Sequence, residues 1–154
     1  GNILSRIGGI IDRLDQKDNI LRIVDYKTGG KPDTPPSIQS LFVPNKKRSN
    51  YVFQTFLYAG IVCRKLQKEN KNLKVAPSLL FIHQAASEEY SPVICLKESR
   101  KELIPIEDFA LYENTFRQEL TTLLEAIFNP DIPFTQTDIQ DKCSYCNFKT
   151  LCNK

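Results

Sequence analysis

An acidic residue and a lysine form the most reactive pattern in the sequence. Asp25 and Lys27 lie two positions apart in the stretch IVDYKTGG, whose β-branched and aromatic residues are typical of a strand and whose end is a Thr-Gly-Gly turn. Because side chains alternate between the two faces of a strand, Asp25 and Lys27 share one face. Charged side chains are rarely fully buried without a partner. The pair therefore indicates either a solvated strand edge or a chemical site.

A preceding strand would bring a second carboxylate to the same face. Residues 3–15 and 20–28 are rich in β-branched residues and bracket the link QKDN, which predicts a hairpin with a two-residue turn at Asp18-Asn19. Residues that lie opposite each other in such a hairpin share a face. The expected pairs are Lys17 with Ile20, Leu14 with Ile23, Asp12 with Asp25, and Ile10 with Lys27.

Two carboxylates beside an ammonium group suggest metal-assisted chemistry on a phosphate. Mg²⁺ and Mn²⁺ prefer carboxylate and phosphate oxygens as ligands, and a lysine can orient a water or stabilise charge that develops on a phosphate. A surface hairpin whose charges align by chance is the alternative, because a slip of one residue in register would separate Asp12 from Asp25.

A second set of candidate ligands lies near the end of the chain. Cys143, Cys146 and Cys152 form a C-x2-C-x5-C run, a pattern that favours metal binding over core packing. Cys63 and Cys95 lie alone in apolar stretches and are expected to be core residues. No secretory signal pattern opens the chain and no apolar run approaches the roughly 20 residues that span a bilayer. We therefore expect a soluble, cytoplasmic protein in a reducing compartment, with no membrane contact.

The elements that must position these residues form one mixed α/β domain. The chain has 154 residues, of which 41% are hydrophobic, and this suits a single core. The predicted segments are a hairpin (1–28), a long loop (29–49), a helix (50–70), two further strands and a second helix (75–128), and a cysteine-containing tail (131–154). Apolar residues that recur three or four positions apart indicate the first helix and its buried stripe: Tyr51, Val52, Phe56, Ala59, Val62, Cys63 and Leu66. The two further strands are expected at 75–84 and 91–97, as neighbours in the sheet. The net charge of +3 is too small to establish a polyanionic partner. The basic cluster Lys46-Lys47-Arg48 is by itself more typical of a solvated surface.

The sequence also resembles a known family. GGIIDRLD followed by ILRIVDYKTG is similar to the core of the PD-(D/E)xK nuclease superfamily, in particular to the nuclease domains of RecB and AddB helicase–nucleases and of CRISPR-associated exonucleases. The run Gln54-Thr-Phe-Leu-Tyr58 is similar to the Gln-x-x-x-Tyr motif of these enzymes, and residues four apart share a helix face. The resemblance implies a restriction-endonuclease-like α/β core, with a central mixed β-sheet flanked by α-helices.

The resemblance also implies roles for individual residues. Asp12 and Asp25 would bind Mg²⁺ or Mn²⁺ with the Tyr26 carbonyl as a third ligand, Lys27 would be the catalytic lysine, and Gln54 and Tyr58 would face the nucleic acid. The three tail cysteines, Cys143, Cys146 and Cys152, would hold a [4Fe–4S] cluster together with a cysteine located upstream in the family.

The expected function is that of a metal-dependent DNA exonuclease in a helicase–nuclease that processes double-strand breaks. DNA and a helicase subunit or domain are then the expected partners, with Lys46, Lys47 and Arg48 neutralising the DNA backbone. No upstream cysteine, and no upstream Glu or His for the metal shell, precedes Gly9, so we expect a fragment that by itself cleaves DNA weakly or not at all. The alternatives are a catalytically inactive DNA-binding or scaffolding module of the same fold, and a zinc-binding structural domain.

Overall fold

A mixed three-stranded sheet and two long helices form the centre of the computed structural model, which describes residues 6–44, 48–97 and 102–153. The strand order is β1-β2-β3, with β1 antiparallel and β3 parallel to β2, while β4 and β5 form a separate antiparallel pair. The elements are β1 (Arg13–Lys17), β2 (Ile20–Lys27), α1 (Asn50–Lys68), β3 (Lys74–Phe81), β4 (Cys95–Lys97), β5 (Leu103–Pro105), α2 (Ala110–Phe128) and α3 (Gln140–Cys143), with 3-10 turns at Gln39–Leu41, Ile82–Gln84 and Lys149–Cys152.

The β1–β2 hairpin has the predicted register. Lys17 pairs with Ile20 and Leu14 pairs with Ile23, and the positive φ of 52° that the turn requires falls on Asp18. The strand predicted across residues 3–15 was too long in its described part, because residues 6–12 precede the ladder, which begins at Arg13. Positions 3–5 of this prediction lie outside the described residues. Ile10 was expected opposite Lys27 but lies outside the ladder and is 85% exposed.

The helix α1 connects the parallel strands β2 and β3 and packs against both of them. Two parallel neighbouring strands cannot be joined by a tight turn, because the chain must first return to the end of the sheet where the first strand began. They therefore need a crossover connection such as this helix. The residues that α1 buries include a set that recurs three or four positions apart, as the sequence pattern predicted: Val52, Phe56, Ala59, Cys63 and Leu66. Burial raises the pKa of Cys63 to about 12, which fits the expected core thiol.

Phe109, the residue before α2, and Phe116 of α2 complete the core by packing against α1. The ring centroid of Phe56 lies 5.0 Å from that of Phe109 and 6.2 Å from that of Phe116, distances typical of stabilising aromatic pairs. The expected α/β class is confirmed: a mixed sheet packs against helices, consistent with a restriction-endonuclease-like core. Within the described ranges, no helix is long and apolar enough to cross a bilayer.

The strand predicted at 91–97 was only partly correct. Residues 95–97 form β4 and pair with β5, whereas only an isolated bridge from Val93 to Ser78 joins this stretch to β3. The Tyr90 hydroxyl closes the adjacent edge by accepting from the amide of Phe81 at 2.9 Å and donating to the carbonyl of Leu79 at 2.5 Å. A side chain therefore satisfies edge groups that a neighbouring strand was expected to satisfy.

Candidate active site

Asp25 and Lys27 lie on the face of β2 that packs toward α1. Ile23, two residues earlier on the same face, is fully buried in the core. Asp25 and Lys27 therefore continue the buried face of the strand to the carboxyl end of the sheet. The side chains of Asp25 and Lys27 are only 6% and 14% exposed, and Lys27 Nζ lies 2.5 Å from Asp25 Oδ2. The solvated strand edge considered from the sequence is thereby excluded for this pair.

The buried oxygen of Asp25 is incompletely satisfied. Its ion-pair partner Lys27 Nζ lies 2.5 Å away, but no group in the described part of the chain forms a hydrogen bond with Asp25 Oδ2. Buried polar atoms are nearly always hydrogen-bonded, and an orphaned one often marks a position that an ion or water occupies. A carboxylate oxygen left in this state suits a hard divalent cation.

Asp12 approaches the same region from the end of the hairpin. It lies one residue before β1, is exposed, and accepts a hydrogen bond from the backbone amide of Tyr26 to its Oδ2 at 2.9 Å. This contact places a second carboxylate beside the peptide that joins Asp25 to Tyr26. Asp12 therefore reaches the backbone next to Asp25 through a side-chain bond and not through the ladder pairing expected from the sequence. The Tyr26 carbonyl as a third ligand stays a prediction.

Gln54 and Tyr58 extend this arrangement on α1. Gln54 Oε1 accepts from Lys27 Nζ at 3.4 Å, while Gln54 Nε2 donates to the Tyr58 hydroxyl at 3.0 Å. Tyr58 is buried, and a Cβ added to Gly9 would overlap its hydroxyl, so the segment before β1 packs closely on this ring. The glycine, the strand acid and lysine, and the helical motif therefore meet in one continuous group of contacts.

Tyr51 contacts Lys27 although the sequence had placed it in the core stripe of α1. That assignment was wrong, because Tyr51 is 42% exposed and its ring centroid lies 4.3 Å from Lys27 Nζ. The signal was present in the spacing, since Tyr51 precedes Gln54 by three positions and such residues are neighbours on a helix surface. The α1 residues that pack on the sheet instead begin one position later, at Val52.

A cleft of about 250 Å³ lies beside Tyr51 at the carboxyl ends of β2 and β3. Its lining includes two exposed cations, Lys31 and Arg48, together with the acid Asp33 and with Phe81. The Arg48 Nε donates to Asn50 Oδ1 at 3.1 Å. The other two members of the predicted basic cluster, Lys46 and Lys47, lie outside the described residues.

The tail cysteines do not form the expected metal centre. Cys143 and Cys152 are half-buried and Cys146 is exposed, and the amide of Phe148 donates to the Cys146 sulfur at 3.4 Å. Among the described residues, no three His, Cys, Asp or Glu side chains lie close enough together to hold a metal ion. This arrangement fits neither the four-thiolate ligation of an iron–sulfur cluster nor a closed zinc site.

The acid pair, by contrast, fits a divalent cation of the Mg²⁺ type. Such ions are commonly held by one or two carboxylates, with substrate phosphate and water oxygens completing the shell. Asp12 and Asp25 supply the two carboxylates, and Asp25 Oδ2 supplies a buried oxygen without a hydrogen bond. The arrangement can therefore bind a cation and a phosphate, with Lys27 fixed beside them by Gln54.

A comparison with known protein families identifies the chain's superfamily. The model of the PD-(D/E)XK nuclease superfamily matches residues 2–153, which is nearly the whole chain. No curated protein and no solved structure matches the chain significantly.

Proposed function

The chain belongs to the PD-(D/E)XK nuclease superfamily, and from that premise we propose that it is a metal-dependent DNA exonuclease that hydrolyses phosphodiester bonds. The observation that carries the proposal is the buried Asp25–Lys27 pair, with its unsatisfied carboxylate oxygen and a second carboxylate, Asp12, close by. A buried charged pair is a weak source of stability. Its position at the end of the central strand is better explained by chemistry than by folding.

The proposed mechanism assigns separate tasks to the acids and to the lysine. Asp12 and Asp25 would hold the cation, which when bound polarises the scissile phosphate as a Lewis acid. Lys27 would orient the attacking water with its ammonium group and would stabilise the negative charge that grows on the phosphate. The 3.4 Å contact from Lys27 Nζ to Gln54 Oε1 restricts where the ammonium can lie. Tyr58 in turn fixes the Gln54 amide by its 3.0 Å hydrogen bond.

The substrate and the partner are proposed more specifically than membership of the superfamily implies. We propose DNA as the substrate and a helicase as the partner, in the processing of double-strand breaks. The support is the order of the motifs in the sequence and the exposed cations Lys31 and Arg48 beside the site, which would neutralise a phosphate backbone. This mechanism uses none of the three tail cysteines.

The first test compares two Asp→Asn variants of the same hairpin. Asp12→Asn removes one proposed ligand charge, while its amide oxygen can still accept the bond from the Tyr26 amide. Asp15→Asn is the matched control, because Asp15 pairs with Arg22 on the same hairpin and is assigned no part in the chemistry. On linear duplex DNA with Mg²⁺, we expect Asp12→Asn to lose about 10²–10³-fold in cleavage rate and Asp15→Asn to cleave like the unmodified protein.

The substrate topology tests the exonuclease assignment. A linear duplex should be degraded from its ends, whereas a covalently closed circle should stay intact. Cleavage that persists without a divalent metal, or that is equal in Asp12→Asn and Asp15→Asn, would contradict the mechanism. Because the chain alone is expected to cleave weakly or not at all, these rates are measured on the full-length protein. Salt-dependent DNA binding with no cleavage of any substrate by the unmodified full-length protein would instead favour the non-catalytic DNA-binding module.

A further inference from the structure

The ring of Tyr51 lies under the charged end of Lys27. The ring centroid is 4.3 Å from Nζ, and the same ammonium contacts Asp25 at 2.5 Å and Gln54 at 3.4 Å. The face of an aromatic ring attracts a cation, and this attraction increases when water is excluded. Since the Lys27 side chain is only 14% exposed, we expect this attraction to be stronger than at a fully exposed site.

The turn that follows β2 holds this ring in place. Gly30 has a φ of +84°, and a Cβ added to it would lie 3.2 Å from Tyr51 Cε2. A side chain at position 30 would therefore strain the backbone and also press on the ring. Phe81 at the end of β3 limits the ring further, with the two centroids 6.4 Å apart. Gly29 differs, because no atom lies within 4 Å of the position of an added Cβ.

We propose that Tyr51 is a positioning residue that fixes the ammonium of Lys27 for catalysis, and that Gly30 is required because it seats the Tyr51 ring. This inference rests on the proposed function, since it concerns the same lysine. Tyr51 is 42% exposed, so its place on α1 is not explained by burial in the core. Neither the Gln54–Tyr58 motif nor the acid pair includes it.

The kinetic test uses conservative and non-conservative changes at Tyr51 in the full-length protein. Tyr51→Phe keeps the ring and should keep cleavage within about twofold, because the attraction depends on the ring face. Tyr51→Leu removes the ring and should lower kcat about five- to thirtyfold, with KM for DNA unchanged. A rise in KM with unchanged kcat would overturn the proposal, because Tyr51 would then contact the DNA through the adjacent cleft.

The glycines supply a matched pair of variants. Gly30→Ala should lower kcat as Tyr51→Leu does, whereas Gly29→Ala should cleave DNA like the unmodified protein. Combining Gly30→Ala with Tyr51→Leu should cost little more than either change alone, since both act through the same ring. Equal effects of the two alanine substitutions, or additive effects in the combined variant, would count against this arrangement.

An NMR measurement tests the contact between the Tyr51 ring and Lys27 independently of DNA cleavage. A ring beneath the lysine should shift the side-chain methylene protons of Lys27 upfield in NMR spectra. The shift should persist in Tyr51→Phe and Gly29→Ala and should disappear in Tyr51→Leu. Its absence from the unmodified protein would refute the proposed contact.

Failure of the proposed function gives a different result. The upfield shift would then be present while the unmodified full-length protein cleaves no DNA with any divalent metal. In that case Tyr51 packs on Lys27 without any role in catalysis, and the positioning role is refuted as well.

Discussion

Replacing Lys27 with methionine should destabilise the fold substantially, because it leaves the carboxylate of Asp25 buried and unpaired. The two side chains are 14% and 6% exposed and their charged atoms lie 2.5 Å apart. Removing one partner of a buried ion pair costs about 3–5 kcal/mol. The residual exposure of Lys27 favours the lower end, about 3 kcal/mol, which for a chain of this length corresponds to a fall in Tm of roughly 6–12 °C. Methionine is chosen because it keeps the length and apolar volume of the lysine stem.

Magnesium and a compensating substitution should both reverse this loss. A divalent cation that binds the carboxylates only in the folded protein stabilises that state, and this gain should be larger in Lys27→Met than in the unmodified protein. Replacing both partners, as in Asp25→Leu with Lys27→Met, removes the buried charges together. Such double replacements are often neutral or stabilising, so the double variant should be at least as stable as the unmodified protein, and magnesium should no longer stabilise it.

Urea unfolding followed by circular dichroism, run with and without magnesium chloride, measures the loss in Lys27→Met, the stabilisation by magnesium and the stability of the double variant. The midpoint and slope give the free energy of unfolding for each variant. A loss below about 1 kcal/mol in Lys27→Met, the range of an exposed ion pair, would show that the pair is not buried as described. A loss of the expected size with no magnesium effect would preserve the burial but refute the cation site.

Two further predictions concern packing and thiol chemistry. Gly9→Ala should lower the unfolding free energy by about 1–3 kcal/mol because its methyl group would overlap the Tyr58 hydroxyl. The control Gly8→Ala, whose added Cβ would meet no atom within 4 Å, should change the Tm little. Equal Tm values for the two variants would refute this packing. Alkylation at neutral pH, followed by mass spectrometry, should modify the exposed Cys146 quickly and spare Cys63, whose burial raises its pKa to about 12. That pKa leaves Cys63 with about a thousandth of the thiolate of an ordinary thiol, so comparable rates at the two cysteines would contradict its burial.

The local patterns predicted the parts of the fold that depend on nearest neighbours. The hairpin register could be predicted because a two-residue turn at Asp18-Asn19 fixes every pair that follows it. The bounds of α1 were close to those predicted because its apolar residues recur at the helical period up to Leu66. Asp25 and Lys27 could be placed on one face for the same reason, since a strand alternates its side chains regardless of its tertiary contacts.

The contacts that depend on the third dimension could not be predicted in this way. The pattern put Asp12 opposite Asp25 in a ladder, whereas its carboxylate instead bonds the Tyr26 amide after the ladder has ended. Tyr51 was placed among core residues because an aromatic side chain near an apolar stripe has the same pattern whether it packs inward or against a lysine. The spacing of Cys143, Cys146 and Cys152 gives no information on whether their sulfur atoms converge, and among the described residues they do not.

The helix α1 explains why the candidate site and the core are mechanically linked. Tyr51, Gln54 and Tyr58 follow one another at intervals of three and four and form a row that contacts Lys27 and the segment at Gly9. The adjacent row of the same helix is the buried one that packs on the sheet and on α2: Val52, Phe56, Ala59, Cys63 and Leu66. Because both rows belong to one helix, a change in the core that rotates α1 must also move the groups that hold the lysine. The position of the Lys27 ammonium therefore depends on the packing beneath α1 as well as on its direct contacts.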